Sequence, residues 1–205
     1  MQNKKPQKRE LILDAAFELI LEKGYSNTKI IDIATKAGIG KGTVYEYFEN
    51  KESIALELVR TRAAADYAKI CELADELPTC REKLTKYFQL QVATVSRYKA
   101  NVTDFRNEFM GNNSEISMEI IEAVQDIVLS QLEFVGKVVR RGIDCGEFKN
   151  LNPDAATVCI SGSINFWLGM LYHSAEYPQV KVFRRVLASG DEDSVFECIF
   201  KGLLA

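Results

Sequence analysis

Between residues 41 and 51, side chains that can bind phosphate alternate with apolar side chains that a core would bury. Lysine ammoniums and hydroxyl groups contact phosphate oxygens, and residues at the start of a recognition helix can reach base edges. Three residues stand where such a helix would begin: Lys41, Gly42 and Thr43. Three further side chains could hold phosphates: Tyr45, Tyr47 and Lys51. The apolar residues between them are Val44 and Phe48. This pattern predicts a helix with one face toward a nucleic acid and one toward a core.

The residues just before this segment have the spacing of a helix-turn-helix. Two short helices that cross closely need a small residue at the crossing, a glycine in the turn and apolar residues that hold the second helix. Ala34 and Gly38 supply the first two, and the apolar set is Ile33, Ile39 and Val44. An isolated Ala-x-x-x-Gly pattern would merely link two core helices, but the adjacent phosphate-binding face favours DNA. Thr28 is predicted to cap the first helix, whose amide-rich start offers another phosphate site.

Three short helices fit into the first fifty residues. Helical spacing of apolar residues, followed by Gly24 at a typical C-terminal cap position, predicts the first of them. Asn50 is the predicted cap of a long helix over residues 51–76, which ends before a proline. We therefore predict a small domain of residues 1–50 and a larger domain of residues 51–205, connected by the 51–76 helix.

The remaining sequence has helical periodicity and no strand-like alternation. Thr79 and Glu82 form a capping box, which predicts the start of a helix. Ser114 precedes a helix that continues to about Asp144, and Pro153 opens an uncharged one. The last helix is indicated by an apolar stripe: Val195, Phe196, Ile199, Phe200, Leu203 and Leu204. The predicted fold class is all-α.

The overall charge is unfavourable for a nucleic-acid partner, but the local charge is not. The chain of 205 residues has a net charge of -3. Residues 1–50 carry eight basic and seven acidic side chains, so the negative excess belongs to the remainder. The basic residues among the first ten stand against Glu10 alone, although a solvated charged tail would explain them as well.

An uncharged stretch between Asp154 and Glu176 is long enough to span a bilayer. Polar residues interrupt it and no basic cluster flanks it closely, so a helix buried within protein is the favoured interpretation. The N-terminus lacks the apolar stretch of a signal peptide, and we expect a cytoplasmic protein. The five cysteines are scattered, so neither a disulfide framework nor a metal site nor a cofactor is expected. Cys145, which follows Arg140 and Arg141, is the candidate for redox reactivity.

On the residues given above, the sequence from Leu11 to Ile54 resembles the N-terminal domain of TetR-family regulators. The similarity is concentrated in Ile33-Ala34-x-x-Ala37-Gly38-Ile39-Gly40-Lys41-Gly42-Thr43-Val44-Tyr45-x-Tyr47-Phe48-x-Asn50-Lys51. The resemblance implies an all-helical homodimer whose recognition helices enter successive major grooves of a palindromic DNA operator. It also implies DNA contacts at six positions: Thr28, Lys41, Thr43, Tyr45, Tyr47 and Lys51. Two positions depart from the pattern: Gly40 lacks a capping side chain, and Glu46 is expected to point away from phosphate.

The resemblance further implies that the larger helical domain dimerises and binds a small-molecule effector, which would release a repressor from its operator. The candidate dimerisation residues are Ser161, Gly162, Gly169, Phe196, Phe200 and Leu203. Their helices could instead complete the core of one chain. Candidates for a pocket that takes an apolar or amphipathic effector are Phe88, Phe105, Phe109, Met110, Phe134, Phe166, Trp167, Met170 and His173. Each of these could equally be a core residue.

Two other classes of protein share parts of this pattern. A helical ligand carrier would have the larger domain but no DNA-binding role. A helical enzyme would have to use His173, the only histidine. The sequence contains no Gly-rich phosphate loop, metal-ligand cluster or plausible catalytic triad, so we expect no enzymatic activity.

Overall fold

The computed structural model describes residues 4–98, 118–176, 181 and 192–202, with the side chains of 7–94, 118–171, 181 and 194–202. Most of these residues are helical, and no strand occurs among them. The helices, numbered in chain order, are α1 (Lys4–Lys23), α2 (Ile30–Lys36), α3 (Lys41–Tyr45), α4 (Lys51–Leu58), α5 (Ala64–Asp75), α6 (Cys80–Tyr98), α7 (Met118–Asp144), α8 (Pro153–Glu176) and α9 (Glu192–Lys201). This architecture confirms the predicted all-α fold class. No described helix combines the length and the apolar character that a bilayer-spanning segment needs.

The described residues form two compact units. The first contains the residues up to Ala65 and, from α7, Met118 to Gln125. The second contains Asp66 to Arg97 and the residues from Asp126 onward. The predicted boundary after residue 50 differs from this division, because Ile54 and Leu58 of α4 are buried against α1.

The helix predicted over residues 51–76 is present but is not uniformly α-helical. Its first part is α4, a π-helical turn occupies Val59–Ala63, and α5 ends at Asp75. In a π turn the hydrogen bonds join residues five apart instead of four. The turn therefore changes locally which side chains share a helix face. The predicted Asn50 cap is confirmed, because the Asn50 side chain accepts a hydrogen bond of 2.8 Å from the Ser53 N–H.

Two backbone hydrogen bonds in the turn between α2 and α3 end α2. The Ile39 N–H donates to the Ala34 carbonyl at 3.0 Å, and the Gly38 N–H donates to the Thr35 carbonyl at 3.2 Å. This pair of bonds is a Schellman motif, in which the residue after the helix takes a left-handed conformation. Gly38 has φ +67°, which any side chain would strain. The turn thus fixes the direction in which α3 leaves α2.

Two further helix starts were correctly predicted and one was not. The Glu82 carboxylate accepts from the Thr79 N–H at 3.2 Å, and Pro153 is the first residue of α8. The predicted Thr28 cap is wrong: α2 begins at Ile30 with Lys29 as its capping position. The Lys29 N–H is satisfied from within the helix by the Asp32 carboxylate at 3.2 Å.

The second unit has an aromatic core with one polar cluster inside it. Phe88 of α6 stacks on Phe196 of α9, with ring centroids 5.1 Å apart. The hydroxyls of Tyr67 and Tyr87 bond to each other, and the Gln91 amide donates to both of them. Burial raises the pKa of both tyrosines, so the hydroxyls stay neutral donors at physiological pH.

The end of α7 is closed by a tight contact between a glycine and an aromatic ring. The Phe148 N–H donates to the Gly142 carbonyl at 2.9 Å, and the Phe148 side chain is buried. A Cβ atom on Gly142 would lie 2.2 Å from the Phe148 ring, closer than two carbon atoms can approach. The absence of a side chain at position 142 is therefore a steric requirement of this turn.

Candidate nucleic-acid interface

The third helix has one face in the core and one face in solvent. Val44 is fully buried and Phe48, just beyond the helix, is 4% exposed. Lys41 and Gly42 are exposed and Thr43 is half-buried. The structure thus brings the three predicted base-edge residues together at the exposed N-terminal end of a short, anchored helix.

Lys41 and Tyr45 lie one turn apart on the exposed face. The Lys41 Nζ is 5.8 Å from the centroid of the Tyr45 ring, and Tyr45 is 49% exposed. Among the described residues Lys41 forms no ion pair with a carboxylate, whereas Lys23 and Lys36 pair with Asp32 and Glu18. The hydrogen bond from Lys23 lowers the pKa of Asp32, which keeps that carboxylate charged. Lys41 therefore keeps a solvent-exposed charge that no carboxylate among the described residues neutralises.

Three residues predicted to contact DNA have side chains that contact other parts of the protein. The Thr28 side chain is buried, and its hydroxyl donates to the Gly24 carbonyl at 2.7 Å, so it does not face a ligand. Tyr47 is half-buried and packs against the core of the first unit. The Lys51 Nζ donates to the Tyr25 carbonyl at 2.9 Å and lies 3.9 Å from the centroid of the Tyr25 ring. The side-chain role predicted for Thr28 is corrected accordingly.

Arg9 positions α3, a role that sequence reasoning missed. Its guanidinium lies 4.5 Å from the centroid of the Phe48 ring, and its Nη1 donates to the Tyr47 carbonyl at 3.3 Å. It also donates to Glu57 of α4 from Nε at 2.7 Å, and this bond raises the pKa of Arg9. The available signal was the basic N-terminal segment. Because its partners are 38 or more positions away, their identity could not be inferred.

Glu46 is the acidic side chain next to the exposed face, and it is itself exposed. We predict that Glu46→Lys tightens binding to DNA of any sequence, because an added cation close to the backbone releases one more counterion. The slope of log K against log salt concentration should steepen by about 0.9. Anisotropy titrations at several salt concentrations measure this slope, and an unchanged slope would show that a lysine at position 46 does not reach the DNA backbone.

The candidate pocket residues differ in whether their side chains are buried. Phe88, Trp167 and Met170 are buried, and Phe134 is partly buried with its ring centroid 5.2 Å from that of Tyr87. Phe166 is 67% exposed and points away from this core. The remaining candidates lie outside the described side chains: Phe105, Phe109, Met110 and His173.

The candidate dimerisation residues also differ in their exposure to solvent. Gly162 is exposed and Gly169 is half-buried, whereas Ser161 is buried. Phe196 and Phe200 are buried in the core of their own unit, with ring centroids 4.3 Å apart, so their assignment to an interface is wrong. Four other residues of α9 line a groove beside α8: Ser194, Val195, Cys198 and Ile199. Leu203 lies outside the described residues.

A short helix anchored by a Schellman turn, with an exposed lysine and tyrosine, defines a helix-turn-helix protein of the DNA-binding class. Two sequence families match this chain. Residues 12–58 match the tetR family of bacterial regulatory proteins, and residues 72–188 match the C-terminal region of QacR-like proteins. The chain belongs to the TetR family of DNA-binding transcriptional regulators, which are not enzymes.

Characterised relatives extend the similarity over most of the chain. The fatty acid metabolism regulator protein of Bacillus subtilis is 29% identical over 170 residues, which cover 80% of this chain and 83% of that protein. The transcriptional repressor KstR2 of Mycobacterium tuberculosis is 27% identical over 142 residues, covering 69% and 70%. The crystal structure of Bacillus subtilis FadR with stearoyl-CoA superimposes with a TM-score of 0.67 at 24% identity, covering 94% of this chain and 98% of that one.

Proposed function

We propose that the protein is a cytoplasmic homodimeric repressor that binds a palindromic operator and is released by an amphipathic effector. The observation that carries the proposal is the exposed Lys41 and Tyr45 face on a helix whose opposite side is buried. A five-residue helix contacts only a few base pairs, so one copy reads too little sequence for an operator. Two copies related by a two-fold axis would read two half-sites about one DNA turn apart.

An apolar stripe on α8 supports the dimer. Val158 is 65% exposed and Phe166 is 67% exposed, and Gly162 lies between them at a spacing of four residues. Residues four apart share one helix face. A Cβ atom on Gly162 would meet no other atom within 4 Å, which leaves room for a second helix to approach. A groove of about 690 Å³ runs along this stripe beside α9. Large exposed apolar residues in one row are typical of an interface.

We predict that Phe166→Glu converts the dimer to monomer, because it places a charge at the centre of an apolar contact and costs several kcal/mol of association. Light scattering coupled to size-exclusion chromatography measures the mass directly. Leu129→Glu is the matched control, since Leu129 is 56% exposed on a different helix. If the Phe166→Glu protein stays dimeric while the Leu129→Glu protein dissociates, the interface lies on α7 and not on α8.

Two buried polar atoms support an effector that carries hydrogen-bonding groups as well as an apolar part. The Trp167 Nε1 and the Ser161 Oγ have no hydrogen-bond partner among the described residues. A buried donor left unpaired costs about 1–3 kcal/mol, so an incoming acceptor would be favourable. The surrounding side chains are aromatic and aliphatic. A long-chain acyl thioester combines both features, and a FadR structure of the same fold holds stearoyl-CoA.

The effector proposal is tested by adding stearoyl-CoA, with free coenzyme A as control, to a complex of the protein with its labelled operator. We expect stearoyl-CoA to raise the Kd for DNA at least tenfold and coenzyme A alone to leave it unchanged. Tighter binding with stearoyl-CoA would instead indicate a corepressor. An unchanged Kd with stearoyl-CoA would exclude this effector. It would not contradict operator binding, because the same titration measures the Kd for DNA without any ligand.

A further inference from the structure

Three potential metal ligands from distant parts of the sequence converge at the start of α6. Cys80 is the first residue of this helix, and Cys145 and Glu147 lie in the turn between α7 and α8. Their sulfur and carboxylate oxygen atoms all lie within 4.8 Å of one another. We propose that Cys80, Cys145 and Glu147 bind a thiophilic divalent cation, with Zn²⁺ as the best match. This site is independent of the proposed DNA and effector functions.

The separation of the three ligand atoms suits a metal ion. With Zn–S bonds of about 2.3 Å and Zn–O bonds of about 2.0–2.2 Å, tetrahedral geometry places two ligand atoms of one zinc ion roughly 3.6–3.8 Å apart, about 1 Å closer than the limit found here. Small side-chain rotations therefore suffice to close the site. A disulfide would require the sulfurs to approach to about 2.05 Å and would not involve the Glu147 carboxylate. A metal ion uses all three residues.

The backbone holds the ligands in place without a metal. The two carboxylate oxygens of Glu147 accept hydrogen bonds from the N–H groups of Cys80 at 2.9 Å and Arg81 at 2.8 Å. Each oxygen has two lone-pair sites, so each keeps one for a cation. Gly146 takes φ +78°, which turns the chain between Cys145 and Glu147 and is strained for any other residue. These contacts act as the outer support that metal sites need.

The charges of the site are close to balanced with a divalent cation. Two thiolates and one carboxylate carry three negative charges, and a divalent cation leaves one. Arg141, which lines the adjacent groove with Cys145, and the positive end of the α6 helix dipole offset that remainder. Two other cations of the groove are paired elsewhere: Lys137 with Asp75 at 3.3 Å and Arg140 with Asp154 at 2.8 Å.

An open side gives the ion access and a fourth ligand position. Cys80 is buried, but Cys145 is exposed and borders a groove of about 460 Å³. Three protein ligands with one position open to solvent is a common zinc arrangement. Because the ion would join α6 to the turn between α7 and α8, binding should stabilise the second unit in proportion to the logarithm of the metal concentration.

The test uses the full chain, reduced, treated with a chelator and then titrated with Co²⁺ and afterwards with Zn²⁺. We expect a sulfur-to-cobalt charge-transfer band that saturates at one Co²⁺ per chain and is abolished by Zn²⁺. Zn²⁺ should also raise the thermal unfolding midpoint. Cys145→Ser should weaken the band, because only the Cys80 thiolate remains, and should lower the Zn²⁺ affinity at least tenfold. Glu147→Gln should lower that affinity by a similar factor.

Cys159→Ser is the matched control, because Cys159 is also an exposed free cysteine but lies away from the cluster. It should bind both metals like the unmodified chain. Absence of the charge-transfer band, or its equal loss in Cys159→Ser, would overturn the site. Recovery of the protein with a Cys80–Cys145 disulfide, and no metal uptake after its reduction, would also overturn it and assign the pair to thiol redox chemistry.

Discussion

Replacing Lys41 and Tyr45 together with alanine is expected to weaken binding to the operator at least 100-fold. Each contact to a base or phosphate at the recognition helix contributes roughly 1–3 kcal/mol, and the double change removes two of them. Both side chains are exposed, so their removal should not disturb the core beneath. Fluorescence anisotropy measures the Kd at a fixed salt concentration, with an operator obtained by selection from a random DNA pool.

The matched control is Lys149→Ala, which removes an exposed lysine from the second unit. Circular dichroism and light scattering should show that the double variant keeps its helix content and its dimer. If the double variant binds DNA as well as the unmodified chain, the exposed face of α3 is not the interface. Unchanged effector binding with no DNA binding by any form would instead favour a ligand carrier.

Gly142→Ala is expected to destabilise the second unit by about 3 kcal/mol. The added Cβ would lie 2.2 Å from the Phe148 ring, and both atoms belong to a packed turn that cannot relax freely. Overpacking of this kind typically costs about 1–3 kcal/mol. The thermal unfolding midpoint should fall by roughly 5–10 °C, which differential scanning calorimetry measures.

Gly136→Ala in the same helix is the control, because the nearest contact of its Cβ would be the flexible end of Arg140 at 3.1 Å. It should change stability by less than about 1 kcal/mol, since alanine also favours the helix. Phe148→Ala alone should be strongly destabilising, and adding Gly142→Ala to it should cost nothing more. An additive double variant would show that the ring does not cause the Gly142 effect.

Local sequence signals predicted most of the helix boundaries. Asn50 and the Thr79–Glu82 pair act through hydrogen bonds to residues three positions away, so their effect is visible without the fold. Pro153 acts through its fixed φ at the first helical position. Gly38 was equally readable, because a left-handed turn needs glycine. Thr28 failed as a cap because α2 begins two residues later, at Ile30, and the Thr28 hydroxyl instead donates to the Gly24 carbonyl four residues back. A hydroxyl can satisfy either partner, and sequence does not rank them.

The orientation of apolar residues was less predictable. Periodicity placed Phe196 and Phe200 on one stripe of α9 but could not say whether that stripe faces its own core or a second chain. The same ambiguity misplaced Phe166, which is exposed although the next residue of α8, Trp167, is buried. Which face packs inward depends on partners from other helices, as the stacking of Phe88 on Phe196 illustrates.

Contacts between distant residues were outside the reach of sequence reasoning. Lys51 looked like a phosphate ligand, but its ammonium is held by Tyr25, 26 positions away. Cys80 and Cys145 show no metal-ligand spacing, yet they come together with Glu147 because α6 begins beside the turn that follows α7. The candidate DNA surface was predictable because its key residues lie within one short helix.

The most direct test of the DNA-binding account is selection of bound duplexes from a random DNA pool by the 205-residue chain. The account predicts enrichment of a palindrome whose half-sites are centred about one helical turn apart, and loss of that enrichment with Lys41→Ala and Tyr45→Ala combined. Failure to enrich any palindrome, or the same enrichment by the double variant, would contradict it.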